Sequence, residues 1–222
     1  MALTFSTATN ADAAAIALLR NATAQRLADD YGLGPWSSQV TEKGVLYGMR
    51  TSRVLIARDG TDIVATLSLT TRKPWSILRS FLDRNAPTHF TVVKRPLYLI
   101  AMAVAPDKQR TGIGRRFLKE AIAIARAWPA DLSADSSAVA LAKAEASAKV
   151  GAIRLDAYDV DSDAGAGAFY AKCGFREIGR ATYRKPSRTE PKRSGDAAVV
   201  CGKRATDLLV AQPPLIYFEM VL

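Results

Sequence analysis

The sequence predicts an α/β or α+β protein in which a central mixed sheet is flanked by helices. Segments with the two-residue period of a strand alternate with segments that have the period of a helix. The longest uninterrupted apolar run, residues 97–105, suits a buried strand and is far short of the about 20 residues that a membrane-spanning helix needs. Hydrophobic residues make up 49% of the 222-residue chain, which is enough for one sizeable core.

The first part of the chain is expected to form a strand, two helices and a hairpin, in that order. Alternating apolar and polar side chains predict the strands, and apolar positions three to four residues apart predict the helices. Asn10 is expected to cap the first helix, because asparagine readily accepts from the free amides at a helix start. The turn at Gly60, between two strand-like runs, is typical of a β-hairpin. These elements cover residues 3–9, 11–31, 39–50, 54–58 and 63–71.

The second part is expected to continue with alternating strands and helices. Pro129 ends the helix that follows the apolar run, and Gly174 closes a short helix in the way that glycine commonly does. A stretch rich in alanine and serine favours a weakly amphipathic helix over residues 137–150. The remaining expected elements are the helices at residues 112–128 and 164–173 and the strands at residues 97–105, 153–158, 175–184 and 215–221.

Composition and charge limit the function classes. The formal net charge of +10 suits nucleic acid, an anionic cofactor or simple solubility. The densest basic run, residues 184–204, carries none of the aromatic side chains that stack on nucleic acid, so this partner is disfavoured but stays open. Two cysteines and a single histidine argue against a metal site, and we expect none. The N-terminus lacks a signal-peptide pattern, so we expect a cytoplasmic protein without membrane contact.

The turn after the apolar run has the features of a phosphate-binding loop. Gly112 and Gly114 open the next helix, so a ligand can approach the backbone closely. The first amides of a helix have no partner within it, and the helix dipole favours an anion there. Arg110, Arg115 and Arg116 add positive charge, which suits a pyrophosphate. A glycine-rich turn with surface arginines explains the same pattern equally well, so spacing alone leaves both interpretations open.

Two longer motifs make the chain resemble the GNAT acetyltransferase superfamily. The family carries Val-x-Pro-x-x-Gln/Arg-x-x-Gly-x-Gly/Ala after its fourth strand. This chain has Val104-Ala105-Pro106-Asp107-Lys108-Gln109-Arg110-Thr111-Gly112-Ile113-Gly114. The family also carries Asn-x-x-Ala-x-x-Leu/Phe-Tyr-x-Lys-x-Gly-Phe, and this chain has Asp163-Ala164-Gly165-Ala166-Gly167-Ala168-Phe169-Tyr170-Ala171-Lys172-Cys173-Gly174-Phe175, with Asp163 in place of Asn. Two motifs in the right order are far more specific than either alone.

The resemblance implies a GNAT-type fold, with a mixed, mostly antiparallel twisted sheet of about six to seven strands, and acetyl-CoA as the cofactor. By that resemblance, Tyr170 is the general acid that protonates the departing CoA thiolate. The backbone of Met102 and Val104 pairs with the pantetheine arm, which enters between the fourth strand and the strand at residues 153–158. The residues that would hold the rest of the cofactor are Gln109, Arg110, Thr111, Gly112, Ile113, Gly114, Arg115 and Asp163.

The chain departs from the family pattern in two ways. Many members place an acid three residues before the motif's valine, where this chain has Ala101. The base is then another residue, a water relay, or nothing beyond a substrate amine that arrives neutral. Candidate residues are Asp156, Asp159 and Glu219, although each of them fits a solvated or paired carboxylate better. Residues 133–151 and 186–212 look like insertions in a single domain that spans residues 1–222.

The resemblance implies transfer of an acetyl group from acetyl-CoA to a primary amine of a small molecule or protein. A toxin-like member that acetylates aminoacyl-tRNA is one alternative, which the net charge and Ala101 fit loosely. A catalytically silent acyl-CoA-binding or regulatory module is the other, and the intact Tyr170 argues against it. The sequence does not name the amine-bearing acceptor, and a homodimer stays open.

Overall fold

The computed structural model describes residues 3–77, 90–128, 150–160, 165–181 and 214–222. Its strands are β1 (Leu3–Thr7), β2 (Arg53–Asp59), β3 (Asp62–Thr70), β4 (Pro96–Val104), β5 (Ala152–Tyr158), β6 (Arg176–Ala181) and β7 (Leu215–Val221). Its helices are α1 (Ala13–Tyr31), α2 (Glu42–Met49), α3 (Ile113–Arg126) and α4 (Ala166–Lys172). Short 3-10 turns cover Asn10–Asp12, Pro35–Ser37, Trp75–Ile77 and Pro106–Lys108.

Most described elements lie within a few residues of where the sequence predicts them. The N-terminal cap is an exception, because the expectation that Asn10 caps the first helix is wrong. The Asp12 carboxylate accepts the Thr9 N–H at 2.8 Å, and Asn10 lies inside the short turn that precedes α1. Thr9 is thus the N-cap residue of this turn, and Asp12, three residues on, reaches back to its amide as in a capping box. The interpretations of residues 129–149, 161–164 and 182–213 lie outside the described residues.

The sheet confirms the expected mixed, mostly antiparallel architecture. Its strands lie in the order β1-β2-β3-β4-β5-β7-β6. Every neighbouring pair is antiparallel except β4 and β5, which run parallel. The predicted hairpin joins β2 to β3 through Gly60, whose φ of 63° lies in the left-handed region that glycine adopts easily. The glycine therefore fits the tight turn without strain.

The parallel strands separate after a short contact. β4 pairs with β5 only from Pro96 to Tyr98, opposite Ala152 to Arg154. Beyond that point, residues 99–104 and 155–158 diverge, and we call the gap between them the wedge. A β-bulge lies in β4 beside the wedge, because the register places both Ala101 and Met102 opposite one residue of β3.

The apolar residues form clusters on both faces of the sheet. On one face, the α3 face, α3 and α4 cover a large cluster that includes Phe117, Leu118 and Tyr170. On the other, the α1 face, α1 and α2 cover a smaller cluster around Ile16 and Ile56. A third cluster, around Tyr98, Tyr217 and Leu215, lies farther along the same α1 face. The wedge therefore lies at a point where both faces of the sheet are covered by packed elements.

Glu219 of β7 anchors the segment before β4 to the sheet. Its side chain is fully buried, and its carboxylate accepts from Arg154 Nε at 3.0 Å and from Thr91 Oγ1 at 2.6 Å. The Thr91 N–H donates to the same carboxylate at 3.1 Å. Burial alone would raise the pKa of Glu219, but the hydrogen bonds from Thr91 and Arg154 outweigh it and lower this pKa. Glu219 therefore stays ionised and links β5 and β7 to the segment before β4.

Replacing Glu219 by glutamine is expected to lower the free energy of unfolding by about 3 kcal/mol at pH 7, because the buried Arg154 loses its anionic partner. A lowered pKa contributes stability that is fully present above the ordinary glutamate pKa of about 4.3 and is lost as the pH falls through the lower folded value. The difference between the two proteins should therefore shrink below about pH 4.3. Urea unfolding of both proteins across this pH range measures it.

Glu177→Gln is the matched control, since Glu177 forms an exposed pair with Arg180. Such a pair contributes about 0–1 kcal/mol, so this variant should resemble the unsubstituted protein. Equal, small effects of the two substitutions would show that Glu219 does not anchor the sheet.

Candidate functional site

The wedge exposes backbone groups of β4. Ala105 donates its N–H to the Val64 carbonyl of β3 at 2.9 Å. Because hydrogen-bond direction alternates along an antiparallel strand, the N–H and C=O groups of Val104 and Met102 point the other way, toward β5. β5 has left its pairing with β4 at this level, so an extended ligand can pair with these groups as an added strand.

The Val104 carbonyl already has two partners within the protein. It accepts from Gln109 Nε2 at 3.1 Å and from Thr23 Oγ1 at 3.3 Å. These two donors saturate its lone pairs, so the Val104 N–H is the group that a ligand can use. Gln109 thereby ties the loop to the end of β4, a contact between two sequence-predicted site residues.

The loop between β4 and α3 contains two residues in the left-handed region. Arg110 has φ 62° and Gly112 has φ 87°. Gly112 is the N-cap of α3 and gives no side-chain cap, so the first amides of α3 have no capping side chain as a partner. Thr111 Oγ1 donates to the Lys108 carbonyl at 2.6 Å and thereby holds the turn. The loop can bind an anion with the helix-start amides.

Arginines surround this helix start. Arg110 and Arg115 flank it, and Arg115 Nη2 donates to the Lys172 carbonyl at 3.4 Å, which joins α3 to the end of α4. Ile113 is buried in the core of the α3 face, so only its backbone can serve a ligand. At Gly114, an added Cβ would lie 3.5 Å from Val104 and from Phe169, an ordinary contact distance. Asp163, the remaining sequence-predicted binding residue, lies outside the described residues.

Tyr170 of α4 places a phenol at the wedge. The side chain is 7% exposed, and its ring packs against Phe169, Phe175 and Phe218 with centroid separations of 5.2, 5.8 and 6.0 Å. Its hydroxyl donates to Met102 Sδ at 3.7 Å, and a thioether is a weak acceptor. Burial, followed by the nearby charge of Asp156, raises the pKa of Tyr170. The phenol is therefore protonated at neutral pH and is not committed to a strong hydrogen bond.

Asp156 of β5 lies within electrostatic range of that phenol. Its carboxylate accepts from Ser76 Oγ at 2.8 Å. Burial raises the pKa of Asp156, and the hydrogen bond from Ser76 opposes this only in part. Ser76 is held in turn by Tyr217, whose hydroxyl donates to the Ser76 carbonyl at 2.9 Å. A carboxylate with a raised pKa is suited to accept a proton near neutral pH.

The other two candidate carboxylates are paired elsewhere. Glu219 is enclosed by Thr91 and Arg154, and Asp159 forms an ion pair with Arg180. Ala101, where an acid is common in the family, is exposed at the bulge with φ 53°. Of the three carboxylates named from the sequence, Asp156 is the one that faces the wedge.

The segment after α1 forms an aromatic wall near the end of β5. The Trp36 ring meets Tyr158 edge to face, with centroids 5.7 Å apart, and meets Tyr31 at 6.4 Å. A Cβ on Gly34 would lie 2.6 Å from the Trp36 ring, so glycine is needed for this close approach. Tyr158 lies two residues beyond Asp156 on the same face of β5. The structure therefore packs Trp36 between Tyr31 and Tyr158, at the end of β5.

Sequence reasoning missed two polar residues beside the wedge, Ser76 and Arg20. Ser76 is 80 positions from its partner Asp156, and nothing local predicts such a contact. Arg20 did carry a signal, since it follows Ile16 by four residues and precedes Leu27 by seven, which places it on the inward face of α1. A basic residue at an inward-facing helix position is rare, so it indicates a candidate site residue.

Two further features concern metals and membranes. In the described ranges, no group of three or more histidine, cysteine, aspartate or glutamate side chains is arranged to hold a metal ion. None of the helices that the structure describes is long and apolar enough to cross a membrane.

Comparison with known proteins gives a family and a fold. The model of the acetyltransferase (GNAT) domain matches residues 50–177, which is more than half of the chain. A comparison with curated protein sequences gives no match.

Solved structures with the same fold cover nearly the whole chain. One is yncA from Salmonella typhimurium, solved with its cofactor acetyl-CoA, at 14% identity and a TM-score of 0.55, covering 100% of this chain and 95% of that one. A ribosomal-protein-alanine N-acetyltransferase from Brucella melitensis is 18% identical with a TM-score of 0.55, covering 99% of both chains. An N-acetyltransferase from Staphylococcus aureus is 12% identical with a TM-score of 0.54, covering 100% of this chain and 99% of that one. At these identities the likeness concerns the fold.

Proposed function

The chain belongs to the GNAT family of acetyltransferases, and on that premise we propose that it transfers the acetyl group of acetyl-CoA to a primary amine of a small molecule or protein. The observation that carries this proposal is geometric: the buried Tyr170 hydroxyl contacts Met102 of β4 and lies within electrostatic range of the Asp156 carboxylate, whose pKa burial raises. Tyr170 reaches the wedge from α4, and Asp156 faces it from β5. These two groups can supply a proton and accept one in the same transfer.

The residues at the wedge fit acetyl-CoA. The N–H of Val104 and the backbone of Met102 would pair with the pantetheine arm. The amides from Gln109 to Gly114, at a helix start without a side-chain cap, would hold the pyrophosphate, with Arg110 and Arg115 beside it. Thr111 and Ile113 would contribute their backbone, and Asp163 belongs to the same proposed set from the sequence motif. Bound there, acetyl-CoA supplies an activated acetyl group as a thioester.

The reaction needs one proton removed and one delivered. The amine nitrogen forms a bond to the acetyl carbonyl carbon, and the bond between that carbon and sulfur breaks. Asp156 would take the proton that the amine loses, and Tyr170 would give its proton to the leaving sulfur. The contact of the Tyr170 hydroxyl with the side-chain sulfur of Met102 supports this role, because the Met102 backbone is where the arm would pair. Ser76 would orient the Asp156 carboxylate.

We propose one acyltransferase domain over residues 1–222, with insertions at residues 133–151 and 186–212. Two residues at the end of the first of these ranges are described, and both join the sheet. Val150 is buried in the core of the α3 face, and the Gly151 carbonyl accepts from the Leu222 N–H at 3.1 Å.

The direct test measures release of free thiol from acetyl-CoA in the presence of a panel of amines. Turnover with at least one amine and none without amine is expected. Binding of acetyl-CoA without turnover on any amine, peptide or aminoacyl-tRNA would instead identify a silent binding module. Turnover confined to aminoacyl-tRNA would favour the toxin-like alternative.

Gly112→Val should weaken acetyl-CoA binding by more than tenfold, because a branched side chain is disfavoured at φ 87° and would crowd the anion-binding amides. Gly60→Val is the matched control, since Gly60 also has positive φ and nothing lies within 4 Å of a Cβ at either site. Both variants should lose similar stability, about 1–2 kcal/mol. Calorimetric titration with acetyl-CoA should separate them, and equal affinities would contradict the proposed loop.

Tyr170→Phe should lower kcat by about 100-fold or more and leave acetyl-CoA affinity nearly unchanged. Phenylalanine keeps the ring contacts with Phe175 and Phe218 and removes only the hydroxyl. Tyr47→Phe on the exposed side of α2 is the control and should behave as the unsubstituted protein. A normal turnover rate in Tyr170→Phe would show that the phenol serves only packing.

Asp156→Asn should lower kcat by about 100-fold or more and should remove the acid limb of the pH profile of kcat/KM. A base acts when ionised, so activity should fall as the pH drops through the pKa of Asp156. Burial raises this pKa, so the limb should lie above the ordinary aspartate value of about 3.9. Asp159→Asn, at a paired carboxylate nearby, should keep the limb. An unchanged profile in Asp156→Asn would refute the assignment.

A further inference from the structure

A polar strip crosses the α1 face of the sheet between its two apolar clusters. We define the strip as Arg20, Ser68, Ser76 and Asp156. On one side lies the cluster around Ile56, and on the other lies the cluster around Tyr217. Apolar packing is interrupted in the middle of the sheet, where the wedge begins.

Arg20 places a positive charge in this strip, and no anionic side chain among the described residues pairs with it. Its Nη2 donates to Ser68 Oγ at 3.2 Å, while its Nε is buried and has no hydrogen-bond partner among the described residues. No ion pair of Arg20 occurs within the described part of the chain. Burial lowers the pKa of Arg20, yet a guanidinium stays charged at neutral pH. A buried cation with unmet donors is costly unless something compensates it.

Asp156 places a buried negative charge in the same strip. Its carboxylate is buried and takes its side-chain hydrogen bond from Ser76, a neutral donor. Burial raises the pKa of Asp156, and no ion pair of this carboxylate, with Arg20 or any other cation, occurs among the described residues. One guanidinium and one carboxylate thus lie in one strip, each without a charged partner in the described part of the protein.

The strand register places the two charges at the same level. Ser68 of β3 pairs with Ile100 of β4. Tyr98 pairs with Arg154, so Ile100 and Asp156 are each two residues past the last pair of β4 and β5. Ser68, Ile100 and Asp156 therefore share one face and one level of the sheet. Asp156 lies across β4 from Ser68, and the strands that carry them are more than two ordinary spacings of about 4.8 Å apart, because β5 diverges from β4 beyond Tyr98.

We propose that the acceptor is an amine that also carries a carboxylate, whose carboxylate is bound by Arg20 and whose amine faces Asp156. This rests on the proposed function and adds the substrate class. A molecule with both charges compensates both buried groups at once, which neither group does for the other. The single guanidinium with free donors matches a carboxylate, which it can bind through two parallel N–H groups.

The first experiment compares amines in matched pairs, with thiol release from acetyl-CoA as the readout. The pairs are β-alanine with ethylamine, γ-aminobutyrate with propylamine, 6-aminohexanoate with pentylamine, and phenylalanine with phenethylamine. At least one carboxylate-bearing member should have a kcat/KM more than tenfold above that of its partner. O-phosphoethanolamine tests whether a phosphate serves instead. Turnover on plain amines or phosphoethanolamine with no preference for any carboxylate would overturn the proposal while leaving the acetyltransferase function intact.

The second experiment removes the charge of Arg20. Arg20→Met should raise KM for the preferred carboxylate-bearing amine at least tenfold, with the KM of acetyl-CoA unchanged, and should abolish the preference within the pair. Arg20→Lys should restore part of the preference, because lysine keeps the positive charge but lacks the two parallel N–H donors of the guanidinium. Arg26→Met on the same helix is the control, since Arg26 is exposed and paired with Asp30. An unchanged preference in Arg20→Met would refute the role.

Thermal unfolding of the ligand-free protein shows whether the partner of Arg20 is a bound ligand or an acidic side chain of the protein itself. If Arg20 is uncompensated in the free protein, Arg20→Met should have a Tm equal to or above that of Arg26→Met. A markedly lower Tm would mean that an acidic side chain elsewhere in the chain pairs with Arg20, and this would overturn the proposal. If no amine releases thiol, the proposed function fails, and the Tm comparison with calorimetric binding of 6-aminohexanoate and pentylamine still decides the role of Arg20.

Discussion

The separation of β4 from β5 after three residue pairs is the constraint on which the rest of the site depends. A sheet normally satisfies the backbone groups of each central strand from both sides. Here the far half of β4 has a strand partner only in β3, so the backbone of Met102 and the Val104 N–H turn toward a gap in the middle of the sheet. The same gap lets Tyr170, packed on one face, come within electrostatic range of Asp156, which belongs to the other. Without the wedge, the sheet itself would separate the two.

The wedge is kept open by rigid structure on either side. The closed end is fixed by Glu219, which binds Arg154 at the last residue pair of β4 and β5. Along β5, the partner strand is β7, and this antiparallel pairing is continuous from Ala152 to Tyr158. At the other end, backbone strain is concentrated at Ala101 and Arg110, non-glycine residues with positive φ, at a cost of about 1–2 kcal/mol each. Well-packed clusters on both faces offset that cost, so the strain persists where the site needs it.

The sequence predicts much of this architecture because the spacing of apolar residues along the chain shows which side of each strand or helix is buried. The strands and helices of the described ranges follow the alternation of apolar positions, and the turns at Gly60 and Gly112 lie where glycine is needed. The mixed sheet follows from the order of the elements, whereas its mostly antiparallel pairing is what the resemblance to a family implies. The capping pair of Thr9 and Asp12 does not follow from the sequence, because Asn10 is also a good capping residue and the local pattern fits a helix start at either position.

Side-chain contacts between distant segments were beyond sequence reasoning. The bond from Ser76 to Asp156 and the enclosure of Glu219 depend on how the strands align, which no local pattern encodes. Among three equivalent carboxylates, the sequence could therefore not tell the base candidate from the structural one. Arg20 is a different case, because helix periodicity depends on the apolar positions and gives no weight to a charged residue among them.

The location of the carboxylate follows from the same wedge. Family members with an acid three residues before the motif's valine carry it on β4, where this chain has Ala101. That residue is exposed at the bulge, so a carboxylate there would be solvated and would keep an ordinary pKa. Asp156 faces the wedge from β5 and is buried, and burial raises its pKa. On the proposed mechanism, the base on the far side of the wedge is a better proton acceptor because it is held away from water, and its burial is tolerable since Ser76 satisfies it in part.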